Sequence, residues 1–295
     1  MSHRTSSMTI RTLTFNIEIF AAASAALIVC GTAAGQTIIP VDQGRSVSNQ
    51  MVNALQCSDE YFSDVEAAAG FEPFDAFVQT EHGCDAGFAC ATTGQQSQID
   101  SASMTASGTA TSEAQGPDPG HMHAFSISHF EVTFELPSSS SFALDGTMTA
   151  GTLPDGKVET VLAGVLATLW GGPNLDVLLF EQSLQAPPGG GTDKQVLEAA
   201  GTLEPGVYSL DVQAGSYVEG LNVPPNRLGQ ASFDFTFVVT ILGDLNGDEI
   251  VGAGDLLILL ANWGRCADCD DCNADIDGNC TVGASDLLIL LSNWG

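Results

Sequence analysis

The sequence predicts a mainly β protein: an antiparallel β-sandwich or jelly-roll-like body, residues 36–242, followed by a small α-helical module, residues 243–295. Three observations lead there. From about residue 40 to residue 240, apolar and polar residues alternate repeatedly with period 2, as in strands that bury one face. Gly, Pro, Ser and Asp punctuate these runs, and no helical pattern separates them, which argues against a parallel sheet with crossover helices. Past residue 243 the pattern changes to a tandem repeat with a helical stretch in each copy.

The first 35 residues read as a secretory signal. Arg4 and Arg11 precede a 12-residue apolar run, Ile19–Cys30, which is too short to span a bilayer. Ala33-Ala34-Gly35 then supplies small residues for cleavage before Gln36. Cys30 follows Val29, a bulky residue where a lipoprotein signal needs a small one. No later apolar stretch is long enough for a membrane span, so the chain is expected to be secreted or at the cell surface. Export makes disulfides the default for the remaining cysteines, grouped as Cys57, Cys84 and Cys90, then Cys266, Cys269, Cys272 and Cys280. The simplest N-terminal pairing is Cys84–Cys90 with Cys57 free, although the spacing does not settle which two pair.

Ser63–Ala69 looks briefly helical, and the rest of the body reads as eight to ten short strands. Ala102, Met104, Ala106, Gly108 and Ala110 share one strand face. Phe130, Val132, Phe134 and Leu136 share another, alternating with Glu131, Thr133 and Glu135. Val161–Trp170 and Leu175–Phe180 follow as strands, then Tyr208, Leu210 and Val212, and last Phe233, Phe235 and Phe237. Turns are marked by Pro154-Asp-Gly, Pro187-Pro-Gly-Gly-Gly and Glu204-Pro-Gly.

Charge narrows the function classes. With 36 Asp+Glu against 7 Lys+Arg, the formal net charge is −29. Nucleic-acid binding by phosphate neutralisation is excluded, and an anionic membrane surface is a poor partner. A hydrophobic content of 44 % is nonetheless enough for a core. No G-x-S-x-G, H-E-x-x-H or phosphate loop occurs. His121-Met-His123 with His129 and Glu131 is similar to the cupin metal motif, but the Glu spacing differs and no His follows His129, so a solvated loop is expected there. Glu131 and Glu135 share a strand face, whereas a glycosidase opposes its carboxylates across a cleft. Trp170, Tyr208 and Tyr217 suit a sugar platform chemically, yet their spread along the chain suits core positions better. The body is therefore expected to be non-catalytic.

The C-terminal repeat has a period of 31: residues 244–264 and 275–295 are identical at 14 of 21 positions. Loop positions 1, 3, 5 and 12 carry Asp244, Asn246, Asp248 and Asp255 in one copy and Asp275, Asp277, Asn279 and Asp286 in the other. That is the spacing with which a 12-residue loop gathers oxygens around Ca²⁺, the backbone carbonyls of Ile250 and Thr281 supplying position 7. Gly252 and Gly283 at position 9 leave that ligand to water. Position 6, where Gly is usual for its positive φ, is Glu249 in one copy and Cys280 in the other. A short apolar helix follows each loop and ends at Gly264 or Gly295. The helices are expected to pack together, because neither buries Leu256–Leu260 or Leu287–Leu291 alone. A strand, not a helix, precedes the first loop, so these are loop–helix half-units.

In these features residues 243–295 resemble the dockerin type I family, which also has two tandem Ca²⁺ loop–helix units without entering helices. The resemblance implies two bound calcium ions held by the ten loop residues named above. It also implies a cohesin-like or other extracellular protein partner, and assembly of secreted proteins that act on polysaccharide. Two functional classes follow. One is an exported non-catalytic protein that attaches through its module. The other is a secreted polysaccharide-degrading enzyme of glycoside hydrolase type, or a carbohydrate-binding protein, carrying the module. The Cys-rich linker does not suit zinc, since acids crowd its thiols and Cys280 lies inside a loop. Disulfides Cys272–Cys280 and Cys266–Cys269 are expected instead.

Overall fold

The structure is a computed structural model and describes residues 37–54, 60–84, 87–115, 121–153, 161–187, 189–220, 227–269 and 272–295. The segment expected to be a signal, Cys57 and the Pro154 turn lie outside these residues.

Two antiparallel sheets form the body. The first contains β1 (Ile39–Gln43), β2 (Ser46–Ala54), β3 (Glu60–Ala67), β7 (His121–Leu136), β9 (Val161–Gly171), β10 (Val177–Gln185) and β12 (Gly206–Gly220). The second contains β4 (Phe74–Cys84), β5 (Gly87–Ile99), β6 (Ser103–Gln115), β8 (Ser140–Thr152), β11 (Gly191–Leu203) and β13 (Arg227–Ile241). Their orders are β10-β9-β12-β7-β2-β3 and β11-β8-β13-β6-β5-β4, with β1 also on β7. Successive strands repeatedly switch sheets, so the expected sandwich is present with more and longer strands than the sequence suggested.

The period-2 pattern decides which residues lie between the sheets. Phe130, Val132 and Phe134 of β7 are buried, as are Leu210 and Val212 of β12 and Phe233, Phe235 and Phe237 of β13. Phe130 meets Phe235 edge-on across the sheets, centroids 5.2 Å apart at 81°, a favoured arrangement of aromatic quadrupoles. Gly108 sits opposite Phe233, where an added Cβ would come within 2.5 Å of the ring. Only glycine permits that approach.

Three expectations are corrected here. Ser63–Ala69 is not helical: β3 pairs with β2 from Glu60 to Ala67, and the ladder hydrogen bonds of a sheet edge outweigh a weak local preference. Leu175 is not in a strand but in a turn at φ 54°, and β10 starts at Val177. The strand containing His121 and His123 likewise replaces the solvated loop expected there.

β1 and β2 lie end to end along β7, broken at Gly44-Arg45. Arg45 is fully buried at this break. Its guanidinium donates to the carbonyls of Gly70 and Glu72 (the latter at 2.9 Å) and to Ser97 Oγ at 3.2 Å, and it lies 5.9 Å from the Phe74 ring centre. Burial lowers its pKa.

The module follows β13 with only Leu242 and Gly243 between strand and first loop. It contains α1 (Ala253–Ala261), β14 (Gly264–Arg265), β15 (Thr281–Val282) and α2 (Ala284–Ser292). Leu242 N donates to Ser139 O, and Ser139 N donates to Asn293 Oδ1 at 3.1 Å. Ser101 Oγ donates to Glu249 Oε1 at 2.9 Å. Module and body thus pack as one compact unit.

Candidate metal centre and its surroundings

Each loop is folded by its own acids before any ion is considered. Asp244 Oδ1 accepts from the backbone N–H of Gly247 at 2.8 Å, and its Oδ2 accepts from Glu249 at 2.9 Å. Asp275 does the same for Asn279 and Cys280. Asn246 Oδ1 and Asp277 Oδ1 accept from the N–H two residues ahead, and Asp248 Oδ1 accepts from Ile250 N. These bonds curl the backbone around the side-chain oxygens, and the curl requires a left-handed residue at position 6. Glu249 and Cys280 both stand at φ 65°, so the turn that glycine usually provides is made here by two other residues. Glu249 is anchored there by Ser101 and Cys280 by a disulfide.

Position 12 closes each loop. Asp255 is buried; its Oδ1 accepts from Leu245 N and Asn246 N, and its Oδ2 from Gly252 N at 2.7 Å. Asp286 repeats this with Ile276 N, Asp277 N and Gly283 N. Both sit in the first turn of their helix, where the dipole favours negative charge.

Carboxylate oxygens of Asp275, Asp277 and Asp286 lie within 4.8 Å of one another. Hydrogen bonds, first from Ser285 and then from Asn279, hold the Asp277 carboxyl below its usual range. In the first loop the place of Asp277 belongs to Asn246, whose amide donates to Asp248 Oδ2 at 2.9 Å. Ile250 and Thr281 occupy position 7, with Thr281 opposite Arg265 in the short β14–β15 ladder. Three converging carboxylates, two buried acids with no ion pair to a base among the described residues, and left-handed backbone at position 6 all fit a hard divalent cation. Calcium bound there would neutralise this charge; the ten loop residues would hold it.

The sequence did not foresee how the two half-units interlock. Val282 pairs with Gly264, and Gly295 N donates to Val251 O at 3.2 Å. These are equivalent positions 31 apart, so each unit's tail completes the other's loop. The identical Gly and Val in the two copies were the available signal.

The disulfides are Cys266–Cys272 and Cys269–Cys280, not the pairs expected. Proximity along the chain was the wrong guide: the linker folds so that Cys269 reaches the second loop. Among the described residues Cys90 has a free thiol, so it is not bridged to Cys84.

The two helices share one core, as expected, but their packing covers fewer leucines than expected. Only Leu259 and Leu290 are fully buried, together with Val251, Val282 and Ala274. Leu257 and Leu288 are each 68 % exposed, and Trp263 and Trp294 are 49 % and 46 % exposed. Leu260 and Leu291 are exposed as well, so the repeat presents the same apolar face twice.

In the body, Tyr208 is buried, with its hydroxyl donating to Glu204 O, and belongs to the core. Trp170 faces outward on β9 and is half-buried, its Nε1 donating to Thr168 Oγ1 at 3.0 Å. Tyr217 OH lies 2.7 Å from His123 Nδ1. On the same outer face, His129 Nε2 is 3.2 Å from Asp211 Oδ1 and 3.9 Å from Glu131 Oε2. Burial pulls the His129 pKa down, but the hydrogen bond and charge of Asp211, then the charge of Glu131, outweigh it and leave it raised. Burial foremost also raises that of Glu131.

No known protein-family signature matches the chain, and no curated protein is similar to it. Among solved structures, the enzymatically active domain of a bacteriophage CBA120 tailspike is 12 % identical with a TM-score of 0.21, over 55 % of this chain and 19 % of that one. The chain thus spans about a fifth of the tailspike's length. A family 61 carbohydrate-binding module, solved with β-1,4-galactotriose, is 16 % identical with a TM-score of 0.19, over 39 % and 69 %. A structure from the β-sandwich superfamily of carbohydrate-binding modules is 10 % identical with a TM-score of 0.16, over 66 % and 73 %. Scores this low carry no argument about function. No helix among the described residues is long and apolar enough to cross a membrane.

Proposed function

We propose that this is an exported, non-catalytic protein whose dockerin-like module, residues 243–295, binds two calcium ions and attaches the β-sandwich to an extracellular protein partner of cohesin-like type. The observation that carries the reading is the duplicated apolar face: Leu257, Leu260 and Trp263 repeat as Leu288, Leu291 and Trp294, exposed to nearly the same degree in both copies. Exposed Trp and Leu in one small module suit a protein interface. The second loop supports it, since the carboxylates of Asp275, Asp277 and Asp286 converge where a cation would join them at the start of the helix that displays this face.

Titration calorimetry on the whole chain should show two calcium ions bound, with Asp255→Ala and Asp286→Ala each removing one. No heat at millimolar calcium would sink the module assignment. Retention by immobilised cohesin domains should require calcium and be lost in Leu257→Asp/Leu288→Asp; retention unaffected by that variant would refute the role of the apolar face. Turnover of any member of a polysaccharide panel would overturn the non-catalytic reading.

A second reading, glycan binding by the body, is favoured by one feature. Trp170 is held along its own strand by its bond to Thr168, so that part of its ring faces outward beside Ser209. Retention on insoluble glycan without turnover, abolished by Trp170→Ala, is the expected result on that reading.

A further inference from the structure

β11 is the outer strand of the second sheet and pairs with β8 along its whole length without a bulge. Across the β8–β13 pair, Leu153 N donates to Leu228 O and Leu242 N to Ser139 O. Odd-numbered residues of β8 therefore bond to β13 and even-numbered ones to β11, as antiparallel alternation requires. The even residues of β8 face odd residues of β11. The N–H and C=O groups of Lys194, Val196 and Glu198 consequently point to the open edge. In agreement, Gln182 of β10 reaches the Val196 carbonyl with its side-chain amide at 2.6 Å. All three residues are exposed, Val196 by 61 %.

Charge selects the occupant of this edge. An antiparallel second copy of β11 centred on Val196 sets Val196 against its own mate and Lys194 against Glu198, twice. Opposite charges directly across a ladder stabilise it, and like charges oppose it. The other outer strands, β3, β4 and β10, carry Asp or Glu and no Lys or Arg, so self-pairing there can set no Lys or Arg against an acid. A chain with 7 bases against 36 acids places one of them where a twofold axis can use it.

We propose that β11 is a self-association edge. Two copies of the chain join antiparallel through Val196, Lys194 and Glu198, and their six-stranded sheets become one. Gln182 yields the Val196 carbonyl to the N–H of the mate. Since both bodies are strongly negative, pairing is expected at physiological rather than low ionic strength.

Sedimentation velocity on the full chain, from micromolar to submillimolar protein at physiological salt, tests this. A concentration-dependent dimer is expected. Lys194→Glu and Glu198→Lys should each weaken it tenfold or more, and the double reversal should restore it. Val196→Pro, which removes an edge donor but no bond to β8, should also give monomer, with circular dichroism showing each variant folded. The dimer should survive chelation of calcium, which separates it from association through the helical module. A monomer throughout, a dimer indifferent to the single reversals, or a double reversal that stays monomeric overturns the proposal.

Discussion

Arg45 shows how a single side chain can tie a sandwich together. It is one of few bases in an acidic chain, yet it is spent on carbonyls and not on a carboxylate. Its partners lie between β3 and β4 and on β5, so it fastens the connection between the two sheets. Arg45→Met should cost about 2–3 kcal/mol in urea denaturation, because buried carbonyls lose their donor at ~1–3 kcal/mol each. A loss below ~0.5 kcal/mol would show that the carbonyls find water instead. His129 makes a prediction of a different kind. Its folded pKa is raised, so the stabilisation from its imidazolium is complete below the ordinary value of 6.5 and is lost as pH rises through the higher folded value. The raised Glu131 acts in the same direction, because ionising it in the fold becomes a penalty as pH rises through the carboxylate range. Melting temperature should therefore fall from mildly acid to mildly alkaline pH, and His129→Gln should flatten the neutral part of that slope. An unchanged slope there would remove His129 as its source. Gly44 belongs to this cluster: a Cβ there would lie 2.9 Å from Glu131 Oε2.

Among the elements, β7 and β13 carry the core, since their phenylalanines interdigitate between the sheets. Phe235→Ala should cost about 3–5 kcal/mol, the range for emptying a buried aromatic site. A smaller loss would mean that neighbouring rings collapse into the space. These strands were legible from sequence because alternation over several residues has one structural interpretation when the apolar set is large. β3 was not legible, because an exposed edge strand needs no apolar alternation and is held by β2 through backbone bonds. The helices were legible in place but not in packing. Each nine-residue helix is apolar nearly all round, and such a pattern does not say which leucines the partner covers.

The molecule as a whole has no flexible linker between body and module. Ile241 of β13 packs against the module's own core. Chelating calcium should therefore melt residues 243–295 first and also lower the body's midpoint, but only slightly. Losing the Ser101–Glu249 and Ser139–Asn293 bonds removes about 1–2 kcal/mol, or ~2–4 °C per kcal/mol for a body of this size. Calorimetric scans with and without chelator check this; a single shared transition would mean that body and module unfold together.

The sequence by itself determined the β class, the strands with large apolar faces, and the positions of the acids around which both C-terminal loops fold. Each of these depends on spacing along a short stretch, and local geometry translates spacing directly into direction. Only the tertiary structure decided which cysteines meet, that Gly264 and Gly295 complete each other's loops, that Asp211 joins His129, and that half of the helical leucines stay in solvent. Those outcomes depend on residues distant in the chain arriving at one place, and the physical reason they escape the sequence is that many pairings share the same local pattern while only one satisfies the backbone of both sheets at once.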